Sequence, residues 1–190
     1  PANLTIIWGD GTANTTIASG AILTKEIASH KYATAGNYTI TIFSDKADPS
    51  YKQIPQITFY NYSFGDTKLT AILDPFPNMG AQNFDEDFLA CSRLASVPAE
   101  LFKYNAGAIS FVRCFENCPQ LSSIPSELFR YNTQATDFFG CFMRCSGLAS
   151  IPAELFRYNT QARCFRRCFD HCTELASIPA ELFRYCTQAT

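Results

Sequence analysis

Histidine is nearly missing from this chain. Only His30 and His171 occur in 190 residues, alongside one Trp and two Met, and so few imidazoles deprive most hydrolase and general-base chemistry of its usual proton carrier. Charge of one sign is missing as well: Lys and Arg total 15, Asp and Glu 17, for a net charge of -2. No strong basic field exists to hold a nucleic-acid backbone or an anionic membrane surface, so no nucleic acid is expected as a partner. Long hydrophobic runs are absent too. The stretch from Leu4 to Trp8 falls far short of the ~20 apolar residues a membrane helix needs, and no span is expected in this chain. There is no nucleophile-base pair, phosphate-binding Gly loop or paired-carboxylate motif, so neither an enzyme nor a cofactor is expected. What remains is a chain with 47% hydrophobic residues, globular in composition and long enough for one ordinary domain or two small ones.

Cysteine is the residue present in excess, with nine copies. An odd number cannot all pair within one chain, and buried free thiols fit as well as a disulfide framework. Their spacing is informative: Pro98, Pro125, Pro152 and Pro179 recur every 27 residues within nearly the same phrase, which reads LASIPAELFRYN at its third copy. Cys91, Cys118, Cys145 and Cys172 form one column at that period, and Cys114, Cys141 and Cys168 a second. Phe84, Phe111, Phe138 and Phe165 form a third, and Phe88, Phe115, Phe142 and Phe169 a fourth. Leu69 and Ile72 supply an irregular earlier strand, slightly out of phase.

Within one unit, Phe111, Cys114, Phe115 and Cys118 follow the i, i+3, i+4, i+7 spacing of one helix face, so a short helix is expected over 111–118. Leu121-Ser122-Ser123-Ile124 reads as a brief strand closed by Pro125, and 125–130 as one or two helical turns. Such a unit cannot bury its apolar face alone. Stacked on its neighbours it would form a continuous core and a ladder of short parallel strands, that is, a solenoid. The phrase L-x-S-I-P-x-E-L-F together with F-x-x-C-F-x-x-C resembles the leucine-rich repeats of BspA-like bacterial surface proteins of the Bacteroidetes, over about residues 69 to 190. That resemblance implies a leucine-rich solenoid, inward-packing cysteines at Cys91, Cys118, Cys145 and Cys172, export from the cell, and adhesion.

The first part of the chain lacks the period and alternates instead: Leu4, Ile6 and Trp8, a Gly-rich turn, then Tyr38, Ile40 and Ile42. Antiparallel sheet is expected. Trp8-Gly9-Asp10-Gly11-Thr12, His30-Lys31-Tyr32 and Gly36-Asn37-Tyr38-Thr39-Ile40 together resemble the polycystic kidney disease (PKD) domain, an immunoglobulin-like sandwich, here expected either to start inside the module or to be a trimmed version of it. The expected fold class is therefore α+β with repeats: a partial PKD-like sandwich over 1–50, connecting strands and an irregular first repeat over 51–83, and a leucine-rich repeat solenoid of 27-residue units over 84–190. Gln56-Ile57-Thr58-Phe59-Tyr60 is a candidate bridging strand, 45–53 a linker and 74–83 a Pro-rich loop.

Asp10 between two glycines reads as a turn residue bonded to its own backbone rather than a cation site. Trp8 and Tyr38 read as core rather than as a sugar platform. Cys164, Cys168, His171 and Cys172 carry zinc-ligand types on one stripe. Four ligands along one straight helix cannot easily surround a tetrahedral ion, and no metal is expected. Cys164 and Cys186 stand outside the columns, and a pairing between them or between chains stays open. Sequons at Asn3, Asn14, Asn37 and Asn61 would matter only in a eukaryotic secretory host.

The repeats are nearly identical in the LASIPAELFRYN segment and rewritten elsewhere. Val112, Arg113, Glu116 and Asn117 become Phe139, Gly140, Met143 and Arg144, then Arg166, Arg167, Asp170 and His171. On a helix these positions lie off the Phe/Cys stripe and face solvent, and a shared scaffold with a varied exposed face is how repeat proteins present binding surfaces. The expected function is a non-enzymatic binding or adhesion protein, extracellular or on a bacterial cell surface, with a protein or glycan partner on host or bacterium. The alternative is a structural subunit that associates end to end into an extracellular filament.

Overall fold

A computed structural model describes residues 4–17, 30, 32–34, 36–44, 68–76 and 83–189 of the chain. The candidate bridging strand at 56–60 and the linker at 45–53 lie outside them. The described residues fall into two units, 4–44 and 68–189.

In the first unit three short strands form one antiparallel sheet of order β2-β1-β3: β1 (Leu4–Ile7) lies between β2 (Thr15–Ile17) and β3 (Thr41–Ser44). All three are built from Thr, Ile and other residues that fit a pleated, half-buried surface. The register sets Ile6 opposite Thr15 on one side and Ile42 on the other. Ile6, Trp8 and Ile17 are buried. Ile40, expected on the inner face with Tyr38 and Ile42, is exposed, because it precedes β3 and is not held in the pleat. The turn after β1 carries Gly9 and Gly11 at φ of 81° and 80°, a region costly to side-chain-bearing residues. At Gly9 a Cβ would also strike the carbonyl oxygen of Thr39.

The second unit is organised by its period. Asn83, Ser110, Asp137 and Cys164 form successive parallel bridges, and beyond each bridge the backbone N–H of every second residue donates to the next coil. Phe111, Arg113, Phe115 and Asn117 donate to the carbonyls of Asp137, Phe139, Cys141 and Met143 at 2.8–2.9 Å, and the coils on either side repeat the scheme. The intervening N–H groups turn back three residues, as Cys114 does to Phe111 and Glu116 to Arg113.

The segment expected to be helical is therefore a run of tight turns, and no helix occurs among the described residues. A short helix is marginal by itself, and here the neighbouring coil offers a row of carbonyls to N–H groups that a helix would use internally. Two residues per coil bend left-handed to make this work: Glu86, Arg113, Gly140 and Arg167 in one column and Ala90, Asn117, Arg144 and His171 in the other, the non-glycine members at φ of 55–62°. Turns of this length bring the chain round every three or four residues, which is why Phe and Cys share one side as they would on a helix. The bridging row also lies elsewhere than expected. It falls at Ser110 rather than at Leu121-Ile124, and Ala71 with Ser96 is the one bridge at that other position among the described residues.

The interior is three columns of stacked phenylalanine. Ring centroids are 5.4–5.5 Å apart along Phe84, Phe111, Phe138 and Phe165, and 5.0–5.6 Å along Phe88, Phe115, Phe142 and Phe169. Along Phe102, Phe129, Phe156 and Phe183, the last of them exposed, they are 5.9–6.0 Å apart. The coils thus sit closer on the side of the turn runs. Each buried Phe stabilises by about 1.5–3 kcal/mol through area alone.

Polar ladders run beside the rings. Asn132 and Asn159, both fully buried, donate Nδ2 to the carbonyls of Asn105 and Asn132 at 2.9 Å. The thiols of Cys118, Cys145 and Cys172 donate to the carbonyls of Phe88, Phe115 and Phe142 at 3.1–3.2 Å. All nine cysteines are free thiols, so the Cys164–Cys186 pairing left open by the sequence is not formed. Cys186 stands in the asparagine column, with its sulfur 3.7 Å from the Phe156 carbonyl.

Candidate binding face

Each coil presents two contrasting exposed rows. The constant row comes from the ELFRY segment. Glu127, Glu154 and Glu181 pair with Arg130, Arg157 and Arg184 at 2.7, 3.2 and 2.9 Å, and Glu100 pairs with Lys103 at 3.0 Å. Lys103 and Tyr131 hold the Glu100 carboxyl below the usual range. Tyr104, Tyr131, Tyr158 and Tyr185 stand beside these pairs, 36–44% exposed, with Lys103 over the Tyr104 ring and arginines over the other three. Arg130, for example, is 5.8 Å from the Tyr131 centroid and 5.5 Å from that of Tyr158. Every charge in this row is answered from within the chain.

The rewritten row lies on the turn runs and is not uniformly solvent-facing. Glu116 is buried under Arg113, whose guanidinium pairs with it and reaches across one coil to Glu86 at 2.6 Å. A helix would have turned Glu116 outward; the left-handed bend at Arg113 folds it under. Val112, Phe139, Met143 and Asp170 are half-buried, whereas Asn117, Arg144, Arg166, Arg167 and His171 are exposed. The backbone N–H of Val112 donates to Asp85 at 2.9 Å, that of Phe139 to Asp137 at 2.8 Å, and His171 pairs with Asp170 at 3.0 Å.

Charge changes sign along this row. Asp85 and Glu86 mark the first coil, Arg113 and Glu116 compensate in the second, Phe139, Gly140, Met143 and Arg144 occupy the third, and Arg163, Arg166 and Arg167 the fourth. Arg163 was not singled out in the sequence reading. Its signal is the change from Ile109 and Thr136 at the equivalent positions. The tyrosine row was likewise passed over, although it recurs with the period.

Cys164, Cys168, His171 and Cys172 do not converge. Cys168 and Cys172 are buried, His171 is exposed, and no group of three or more His, Cys, Asp or Glu among the described residues is placed to share a metal ion. Burial pushes the Cys172 and Cys186 thiols up to about 11 and the Cys114, Cys118, Cys141, Cys145 and Cys168 thiols higher still.

The first unit carries a separate polar cluster. Asp10 accepts from the Thr12 hydroxyl and N–H at 2.6 and 3.1 Å and pairs with His30 at 2.7 Å. Those bonds, Thr12 first and His30 second, hold its carboxyl down at about 2. His30 stacks on Trp8 at 4.8 Å, Tyr32 stacks on Tyr38 at 4.2 Å, and the Tyr32 hydroxyl donates to the Trp8 carbonyl at 3.0 Å. The Thr12 hydroxyl points its proton at Asp10 rather than at His30, so this is a clasp closing the turn, not a nucleophile-base pair.

Comparisons with protein-family models, with curated proteins and with solved structures found no match to this chain.

Proposed function

We propose that this is a non-enzymatic binding protein: a PKD-like module joined to a leucine-rich solenoid of 27-residue units, displayed outside a bacterial cell and gripping a protein or glycan partner through the rewritten row. The observation that carries this reading is the contrast between the rows. One backbone ladder, with the same bends in every coil, holds side chains that change from coil to coil at the rewritten positions, while the neighbouring constant row neutralises itself. A scaffold held constant under a surface that changes fits recognition. Half-buried Phe139 and Met143 beside exposed arginines have the composition of an interface centre. Display outside the cell rests on the likeness of the repeat phrase to surface proteins, and suits thiols whose burial keeps them protonated and slow to oxidise.

The test is adhesion. Beads coated with the full chain are scored on epithelial monolayers and on other bacterial cells, beside a variant in which Phe139, Met143, Arg144 and Arg166 are all serine. Adhesion that the variant loses while keeping its melting temperature supports the reading. Adhesion equal in both, or none to any surface, overturns it.

A further inference from the structure

We propose that the basic end of the rewritten row, formed by Arg144, Arg163, Arg166 and Arg167 beside Phe139 and Met143, docks an acidic polypeptide segment, one carboxylate of which pairs with Arg167. This rests on the rewritten row being the binding face and adds the chemistry of what binds there.

The four arginines are exposed, and among the described residues none has an ion-pair partner. That sets them apart from Arg113, Arg130, Arg157 and Arg184, each of which holds a carboxylate. The acids nearest in sequence are already engaged: Asp137 accepts from the Phe139 N–H, and Asp170 pairs with His171. Glu174 lies beyond the turn run. In a chain of net charge -2, so many unanswered cations on two adjacent coils are a local feature, not a reflection of composition.

The row itself shows how an arginine here is satisfied. In the left-handed column, Arg113 takes a carboxylate from Glu86, the equivalent residue of the preceding coil. Arg167 occupies the same position two coils on, but its preceding residue is Gly140, which has no side chain. Among the described residues nothing gives Arg167 the carboxylate that Glu86 gives Arg113. A ladder bond from the Gly140 N–H to the Arg166 carbonyl at 2.9 Å, and one from Arg144 to Asp170 at 2.7 Å, tie these coils side by side.

Guanidinium groups bind carboxylates as planar, bidentate partners. Phe139 and Met143, half-exposed beside them, call for apolar side chains on the partner, which a polypeptide has and a sulfated polysaccharide lacks. A nucleic acid would need a wider basic field and open aromatic faces. The tyrosine rings of the constant row have Lys103 or arginines over them.

The test uses the full chain and a fluorescein-labelled peptide of alternating glutamate and leucine, read by anisotropy, with dextran sulfate and single-stranded oligothymidylate as competitors. Gly140→Glu is the decisive variant. Glu86 already occupies this backbone conformation at φ 62°, and a Cβ at Gly140 meets its nearest neighbour, Arg113 Cγ, at 3.4 Å, so Gly140→Glu is read only at an unchanged melting temperature, with Arg166→Glu/Arg167→Glu as the second variant.

Expected are saturable, salt-sensitive binding of the peptide, about tenfold weaker or more in Gly140→Glu and in the double variant Arg166→Glu/Arg167→Glu, and little changed in Arg130→Gln and Arg157→Gln. Equal losses in Arg157→Gln and Arg166→Glu/Arg167→Glu, no peptide binding at all, or tighter binding of dextran sulfate or oligothymidylate overturns the proposal. Adhesion of coated beads separates it from the broader reading: lost with Phe139→Ser but kept in Arg166→Glu/Arg167→Glu, it leaves the binding face standing and removes the acidic segment.

Discussion

Arg157 and Arg167 are both exposed arginines on stacked coils, yet among the described residues one has an ion-pair partner and the other has none. Arg157 has Glu154 three residues upstream at 3.2 Å and tyrosines on either side. Arg167 has a bare glycine at the equivalent place in the coil before it. The constant row spends its charges on itself, and nothing in its sequence changes from coil to coil except Lys103 for Arg and the final Cys186 for Asn. The rewritten row breaks its own pairing after a single coil, at Gly140. Exposure alone therefore does not mark a recognition surface. Exposure combined with an unanswered charge, on a backbone that answers the same charge elsewhere, is what the proposed docking face has and the constant row lacks.

The contrast can be broken most severely from below, because both rows stand on the same rings. Phe138→Ala, in the middle of a column, is expected to cost about 3–5 kcal/mol, visible as a lower denaturation midpoint with both rows lost together. A loss below ~1 kcal/mol would mean the columns do not carry the stack. Next in size, Arg113→Gln leaves the buried Glu116 carboxylate without its guanidinium and is expected to cost about 1–3 kcal/mol.

Asn132→Cys, which copies what Cys186 does in the last coil, is expected to cost about 1 kcal/mol and less than Asn132→Ala, since the thiol keeps a donor for the preceding coil's carbonyl. If the two variants are equally stable, the amide ladder contributes through size rather than hydrogen bonding. Arg157→Gln, the counterpart of Arg113→Gln on the constant row, is expected to leave the midpoint unmoved, as exposed ion pairs usually do. A large loss there would erase the difference between the rows.

The smallest effect lies in the other unit. Because the Asp10 carboxyl sits at about 2 in the fold and near ~4 in an unfolded chain, its contribution is complete above pH ~4 and is lost as pH falls toward 2. Trp8 is the sole tryptophan and stacks on His30, so its emission reports this unit alone. Acid titration should show a drop in that range that Asp10→Asn flattens, and identical profiles would show that the clasp adds nothing.

Much of the second unit was legible because a fixed period exposes columns directly: Phe, Cys, Asn and the ELFRY charges all stack as their spacing indicates. The backbone state was not. A face repeating at i, i+3, i+4 and i+7 is what a helix produces, and a run of three-residue turns produces it too. What decides between them is whether carbonyls of a neighbouring coil are within reach, a non-local fact. The same blindness misplaced Glu116, whose burial follows from a left-handed bend at Arg113 that no local pattern announces. Gly140 was legible as a residue but not as a gap, because its meaning depends on Glu86 and Arg113 having shown what that column normally holds. In the first unit, the Asp10 turn was readable from its flanking glycines, while the approach of His30 from twenty residues away was not.

In the turn runs each coil hands its N–H groups forward to the next, so the two inner coils, at 110–117 and 137–144, are each acceptor to one neighbour and donor to the other. A unit copied whole would slot between any two existing coils with both its edges already matched, and without redesign of the rings. Such a molecule can lengthen by gene duplication and then edit the new coil only along the rewritten row, where spelling is free. On that view the near-verbatim LASIPAELFRYN phrases are the copied text, and Gly140, Arg166 and Arg167 are the revisions.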